Sequence, residues 1–319
     1  TSGRGAEGAF YNRAMAKLCE GRIVIVTGAG RGIGREYALM LAAHGARVVV
    51  NDLGSNADGT GADASPAQQV VDEIVAAGGE AVANGENVAS WEGAERLIQT
   101  AIDTFGDLHA VVNNAGILRD RMMVNMTEAE WDAVINVHLK GTFAPSHFAA
   151  AYWRDQTKAG KTVDARLINT TSVSGIYGNI GQSNYGAAKA GIASFTNIVA
   201  LELARYGVTV NAIGPNALTR MTAGLRSEPT DEEREQSSPR WIAPIVTWLV
   251  SEESKGVTGR VFEASGELLA IAQGWERGPR HAPVDDPTTL GPIVESLLAE
   301  ARGNSGMDGR PGTWPQPKS

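Results

Sequence analysis

A doubly wound α/β fold built on one parallel sheet is predicted by three observations. Short β-branched runs alternate with stretches of helical composition along most of the chain, the rhythm of strand–helix–strand crossovers. The first such unit, residues 22–51, carries a glycine-rich turn between its strand and its helix. No linker composition interrupts residues 21–275, so the alternation belongs to one domain. Seven strands are expected, with helices on both faces of the sheet.

Residues 1–20 begin in a Gly-rich arm and read as an N-terminal extension. RIVIVT (22–27) is a short β-branched run bounded by glycine, a buried strand. GAGRGIG follows, then a helix that stops at Gly45, and ARVVVN is the second strand. The Gly/Asp-rich stretch LGSNADGTGADAS is a loop, long for an α/β connection. Ser65-Pro66-Ala67-Gln68 opens a helix: serine caps, proline fits the first turn, and glutamine occupies the capping-box position. EAVAN, LHAVVNN and residues 165–170 are the third, fourth and fifth strands. Helices are expected over 91–105, from the capping box Thr127–Glu130 through Phe143, and over 183–204. Gly207 to Ile213 is the sixth strand and GRVFEAS the seventh, with the helix WIAPIVTWLVS between them. Residues 219–239 are charged, poor in apolar residues and broken by proline; following a strand's C-terminal end, they read as a lid. Residues 276–319 form a C-terminal extension with one helix over 287–302 and a tail that has no core-forming pattern.

Composition narrows the function classes. The 319 residues are 43% hydrophobic and 20% charged, which is globular. A net charge of −8 argues against nucleic acid or an anionic membrane as partner. No run approaches the eighteen or so apolar residues that read as a membrane span. The single cysteine, Cys19, excludes an intrachain disulfide, and the five histidines show no metal-ligand spacing, so no metal is expected. No signal peptide is visible and PQPKS is not the peroxisomal tripeptide, so a cytoplasmic location is expected.

The chemistry lies in two motifs. Gly28-Ala-Gly-Arg31-Gly32-Ile33-Gly34 follows a strand and opens a helix. Glycines let backbone approach a pyrophosphate, and the helix N-terminus offers free N–H groups and the positive end of the dipole. Asp52, at the end of the second strand, stands where a carboxylate accepts hydrogen bonds from the adenosine ribose. It would also repel a 2′-phosphate, so NAD is expected rather than NADP, although Arg31 pulls the other way. The second motif is Tyr185-x-x-x-Lys189, two side chains on one helical face. An ammonium near a phenol favours the phenolate, which makes the pair a proton-transfer device. Ser172, thirteen positions before Tyr185, ends a strand and offers a hydroxyl to a substrate oxygen; Ser174 is its rival. Taken alone, a Tyr/Lys pair is commonplace; the glycine turn gives it a cofactor to face.

Over about residues 21–270 these motifs, with Asn113-Asn114-Ala115-Gly116 and Asn136 in order between them, resemble the short-chain dehydrogenases/reductases. The resemblance implies a single Rossmann domain, an NAD-linked alcohol–ketone interconversion and a homodimer or homotetramer. It implies that Ser172 orients the substrate oxygen, Tyr185 is the acid/base, and Lys189 lowers the Tyr185 pKa and holds the nicotinamide ribose. Asn136 would support a water that relays protons. Asn114, Ala115 and Gly116 would line the cofactor cleft, with Asn87 and Val88 near the adenine and Pro215, Leu218 and Thr219 by the nicotinamide. The family often has Pro-Gly where this chain has Pro215-Asn216.

Within the family, ARVVVNDLG, NNAGILRDR, SGIYGNIGQSNYGAAK and PNALTRMT are similar to the (3R)-hydroxyacyl-CoA dehydrogenase branch, both its multifunctional peroxisomal members and its single-domain actinobacterial ones. That implies a 3-hydroxyacyl-CoA substrate from fatty acid or sterol side-chain oxidation. Arg119, Arg121, Arg220 and Arg226 are then candidates for the CoA phosphates. The alternatives are a 17β-hydroxysteroid or terpenoid alcohol and, from another class, a non-catalytic nucleotide sensor, against which the intact Asn-Ser-Tyr-Lys set speaks.

Overall fold

Ile23–Thr27 (β1) is buried along its whole length and runs through the middle of the sheet. This computed structural model describes residues 17–56, 58–61, 65–217 and 230–312. The other strands are Arg47–Asn51 (β2), Glu80–Asn84 (β3), Ala110–Asn113 (β4), Ala165–Thr170 (β5), Val208–Pro215 (β6), Val261–Ala264 (β7) and Leu269–Ala272 (β8). They lie in the order β3-β2-β1-β4-β5-β6-β7-β8. The pairings from β3 to β7 are parallel, and β8 returns antiparallel against β7. The seven predicted strands are present. The eighth is an edge strand added by a tight turn in which Ser265 N–H donates to the Leu268 carbonyl at 2.8 Å.

The helices are Gly32–Ala43 (α1), Ser65–Ala76 (α2), Trp91–Phe105 (α3), Glu128–Ile135 (α4), Gly141–Lys158 (α5), Val173–Tyr177 (α6), Ser183–Leu203 (α7), Asp231–Gln236 (α8), Ala243–Val250 (α9) and Leu290–Glu300 (α10). Strand residues alternate between two cores because successive side chains point to opposite faces. Val24, Val26, Val48, Val50 and Val112 pack with Tyr37 and Leu41 of α1, Val70 and Ile74 of α2, and Val246 and Leu249 of α9. Ile23, Ile25, Val49, Val111 and Leu167 pack on the other face with Leu97 of α3, Trp153 of α5 and Val199 of α7. Each such side chain contributes about 1.5–3 kcal/mol when fully buried, so the two layers fix the sheet's register.

Three local features differ from the expected outline. The helix predicted from Thr127 through Phe143 is broken by a π-helical turn, Asn136–Lys140, and continues to Lys158. Cys19 is fully buried and its N–H donates to the His44 carbonyl at 3.0 Å, so the end of the expected extension 1–20 is part of the packed domain. Of the expected lid 219–239, only 230–239 falls within the described residues; it holds α8, opened by a capping box from Thr230 and Glu233. By length and composition one helical stretch, Ser183–Tyr206, could cross a membrane, with a mean hydropathy of 1.2 over eighteen residues. Its buried side carries Lys189 and Thr196 and packs on β5 and β6, the place of a layer helix in this sheet.

Candidate active site

The strand order reverses between β1 and β4, and a crevice opens beyond the C-terminal ends of the strands at that switch. A cavity of about 470 Å³ occupies it. Three loops build its first end. The β1–α1 turn is drawn tight: a Cβ on Gly34 would collide with the Gly28 carbonyl. Arg31 precedes α1 without a side-chain cap, so the first N–H groups of the helix have no side-chain acceptor. Gly28, Arg31, Gly32, Ile33 and Gly34 all face the cavity. Bare N–H groups beside glycine backbone fit the pyrophosphate of a dinucleotide.

Asp52 also lines this end, and its carboxylate shapes the loop as well as facing the cavity. Oδ2 accepts from Gly30 N–H at 2.8 Å, and Oδ1 accepts from Gly54 N–H at 2.6 Å. Each oxygen keeps a second lone pair for a ribose hydroxyl. Asn87 and Val88 lie beside it. Asn114, Ala115 and Gly116 form the wall after β4; the Asn114 amide donates to the carbonyls of Thr27 at 3.0 Å and Gly28 at 3.1 Å, tying that wall to the glycine turn. Asn113 is buried, and its amide donates to Ser146 and Asn169, each at 3.0 Å. These residues fit a nicotinamide dinucleotide.

The second end of the same cavity holds Ser172, Tyr185, Lys189 and Pro215. Ser172 caps α6, its Oγ accepting from Ser174 N–H at 3.2 Å. Lys189 is buried, and its Nζ donates to the Thr170 carbonyl at 2.6 Å while standing 5.5 Å from the centre of the Tyr185 ring. Burial pushes the Lys189 pKa down to about 7. Burial also pushes Tyr185 up, with the Ser172 hydroxyl opposing and the Asp120 carboxylate adding to the rise. The lowering of Tyr185 expected from Lys189 does not show in the free protein, where desolvation dominates and the Ser172 hydroxyl is the group that opposes it. The first turn of α7 is pinned by Asn184, which donates to the carbonyls of Arg119 at 3.0 Å and Glu130 at 3.2 Å and accepts from Tyr185 N–H at 2.7 Å.

Asn136 reaches the cavity wall, but it is exposed. His138, which the sequence reading passed over, is buried against Tyr185. Leu218 and Thr219, together with Arg220 and Arg226, lie outside the described residues. Arg119 donates to the Asp58 carbonyl at 2.6 Å, and Arg121 pairs with Glu130 at 2.8 Å. Gln182, Ser237 and Met307 also line the cavity. Gln182 donates to Asp120 at 2.7 Å. Met307 comes from the C-terminal extension, and no local pattern in its sequence signals that it returns to the site. Among the described residues no group of three His, Cys, Asp or Glu side chains could hold a metal ion.

A family model described as short chain dehydrogenase matches residues 22–230. Hydroxyacyl-CoA dehydrogenase ChsB1 of Mycobacterium tuberculosis is 46% identical, over 79% of this chain and 79% of that protein. Peroxisomal multifunctional enzyme type 2 of Drosophila melanogaster is 44% identical over 85% of this chain, which spans only 44% of its length. Among solved structures, a short chain dehydrogenase from Mycobacterium avium superposes with a TM-score of 0.82 at 53% identity, covering 91% of this chain and 98% of the other.

Proposed function

The chain belongs to the short-chain dehydrogenase family, and on that premise we propose that it oxidises the hydroxyl of a 3-hydroxyacyl-CoA to the ketone with NAD. The observation that carries this reading is that one cavity holds the glycine turn and Asp52 at one end and Ser172, Tyr185 and Lys189 at the other. Bound NAD supplies the hydride acceptor and a positive charge beside the phenol. Ser172 offers its hydroxyl to the substrate oxygen. Tyr185 takes the hydroxyl proton, and Lys189 stabilises the phenolate from below while fixed to the Thr170 carbonyl. Asp52 selects the 2′-hydroxyl over a 2′-phosphate by charge. The branch assignment rests on likeness to ChsB1 and to the multifunctional enzyme, whose names speak for themselves alone.

A hydroxysteroid is the second reading, and one observation favours it. Arg121 gives Nε and Nη2 to Glu130, and Arg119 gives Nε to the Asp58 carbonyl, so part of each guanidinium is already engaged away from a CoA phosphate. NADH formation with (3R)-hydroxyacyl-CoA esters and with 17β-hydroxysteroids, measured side by side, decides between them. Turnover of the thioesters alone supports the first reading, and turnover of the steroids alone replaces it. The Tyr185→Phe variant should turn over at least about 10²-fold more slowly in either case.

We also propose a homodimer or homotetramer, supported by an exposed apolar face on α5 and α7 that includes Phe143, Ile198 and Leu201.

A further inference from the structure

Two features have no part in the chemistry above: the long Gly/Asp-rich connection between β2 and α2, and Arg119. The sheet brings them together. β1 stands between β2 and β4. A segment that leaves β2 and touches the wall after β4 therefore passes across the crevice at the end of β1, where the glycine turn lies. Residues 53–56 and 58–61 take this course. Leu53, Ser55, Asn56 and Gly59 line the same cavity as Gly28 and Gly32. At the root of the segment, Gly54 N–H donates to Asp52 Oδ1 at 2.6 Å, the carboxylate offered to the ribose.

The tip is a closed turn. Asn56 N–H donates to the Thr60 carbonyl at 2.7 Å and Gly59 N–H to the Asn56 carbonyl at 2.9 Å. Asp58 Oδ1 accepts from the Thr60 N–H at 2.9 Å and from its hydroxyl at 2.8 Å. Two contacts hold this tip on the far wall. Arg119 Nε donates to the Asp58 carbonyl at 2.6 Å. Gly59, with φ +87°, lies so close that a Cβ would stand 3.0 Å from Ile117 Cδ1. The wall itself is fixed. Ile117 is buried and its N–H donates to His138 Nε2 at 3.1 Å, while the Arg119 carbonyl accepts from Asn184 of α7 at 3.0 Å. Asn56, Asp58, Gly59 and Thr60 are exposed, so the tip is the part that can swing. Both contacts join protein groups, so neither depends on what the cavity holds.

We propose that residues 53–56 and 58–61 form a strap across the cofactor end of the cavity and that Arg119 is its latch. A dinucleotide enters and leaves as the Arg119–Asp58 bond and the Gly59–Ile117 contact open together. The proposal rests on the dinucleotide-binding part of the reading above and is independent of the substrate. Arg119 then serves exchange of the cofactor, not a CoA phosphate. The consequence is kinetic. A latch that is the same on entry and on exit adds to both barriers, so removing it speeds association and dissociation together. Loss of a direct contact to the cofactor would speed dissociation alone.

Stopped-flow NADH fluorescence on the full-length protein measures both rate constants. Arg119→Met keeps the stem and removes the donor. Its kon and koff should each rise about 3- to 10-fold, the usual net worth of one hydrogen bond, while Kd moves less than about twofold. Arg119→Lys restores a donor for the carbonyl and should bring both constants back toward wild type. Gly59→Val presses a branched side chain against Ile117 at a backbone angle that suits glycine, without touching the guanidinium. It should give the same paired increase. Unchanged constants in Arg119→Met overturn the proposal. A rise in koff alone also overturns it, by making Arg119 a cofactor contact. A raised KM for an acyl-CoA with unchanged NADH rates overturns it too, and returns Arg119 to the CoA phosphates. If the wild-type protein binds no NADH, the dinucleotide reading itself fails. If it binds NADH and both Arg119→Met and Gly59→Val keep wild-type rates, only the latch fails.

Discussion

Lys189 sits where a lysine is least comfortable, buried beneath Tyr185 with one carbonyl for company. With its pKa near 7 in the fold and its ordinary 10.5 in the unfolded chain, the unfolded state binds the extra proton between those values. Stability should therefore rise with pH from about 7 to about 10, by up to about 1.4 kcal/mol per pH unit from this group. The check is the difference between wild-type and Lys189→Met urea midpoints across that range; parallel curves would show that Lys189 is solvated. Asp52 makes a different prediction, because its carboxylate both supports the loop and faces the cavity. Asp52→Asn should relax the preference for NAD over NADP and lower Tm by a few degrees, one oxygen having become a donor toward an N–H. An unchanged NAD/NADP ratio of kcat/KM would move the selectivity to Arg31. Tyr185, Lys189, Ser172 and Asp52 were legible in the sequence because each has a fixed spacing from a strand end or a helix start. His138 was not legible. A helix drawn straight through residues 127–143 gives no sign that a π-helical turn would change which side chain faces Tyr185.

At the level of elements, the π-helical turn and the C-terminal loop are the parts that pattern alone did not reveal. Regular strands announce themselves by β-branched runs, which is why the seven predicted strands are found. The eighth, Leu269–Ala272, is short, half exposed and low in β-branched residues, and it exists because a tight turn folds it onto β7. Beyond α10, Ser305 pairs with Pro311 and Gly312 N–H donates to the Asn304 carbonyl at 2.9 Å, closing a small loop. Gly309 rests against Tyr177 of α6, whose hydroxyl donates to Glu263 of β7 at 2.5 Å. That docking brings Met307 to the cavity wall. Covering an apolar substrate group with one methionine is worth about 1–3 kcal/mol. Met307→Ala, or truncation after Arg302, should therefore raise KM about 5- to 100-fold while leaving the NAD Kd unchanged. Steady-state kinetics with paired cofactor titrations check this. A kcat loss without a KM change would place Met307 away from the substrate.

The whole molecule presents two unlike ends of function: a cavity at the strand C-termini and, on the side of the sheet covered by α3, α5 and α7, an apolar groove of about 580 Å³. Phe143, His147, Phe195 and Leu201 line that groove, and Trp91 stacks at its margin, 4.8 Å from His147. Leu201 is 83% exposed. A contiguous patch of this kind on a monomer is costly to hydrate, which supports the proposed self-association. Its margin carries Arg154 and Arg205 together with Glu202. Both signs on one face make it self-complementary under a two-fold axis, since the glutamate of one copy can meet an arginine of the other. Light scattering coupled to size exclusion should accordingly give at least twice the monomer mass of 33.5 kDa. Leu201→Glu sets a carboxylate on this exposed apolar face, and burying that charge on association should weaken it at least about tenfold. Because the face lies behind the sheet from Asp52, NAD affinity should persist in the dissociated variant. A wild-type protein that elutes as a monomer at all concentrations would show that the face is covered by something other than a second copy of this chain.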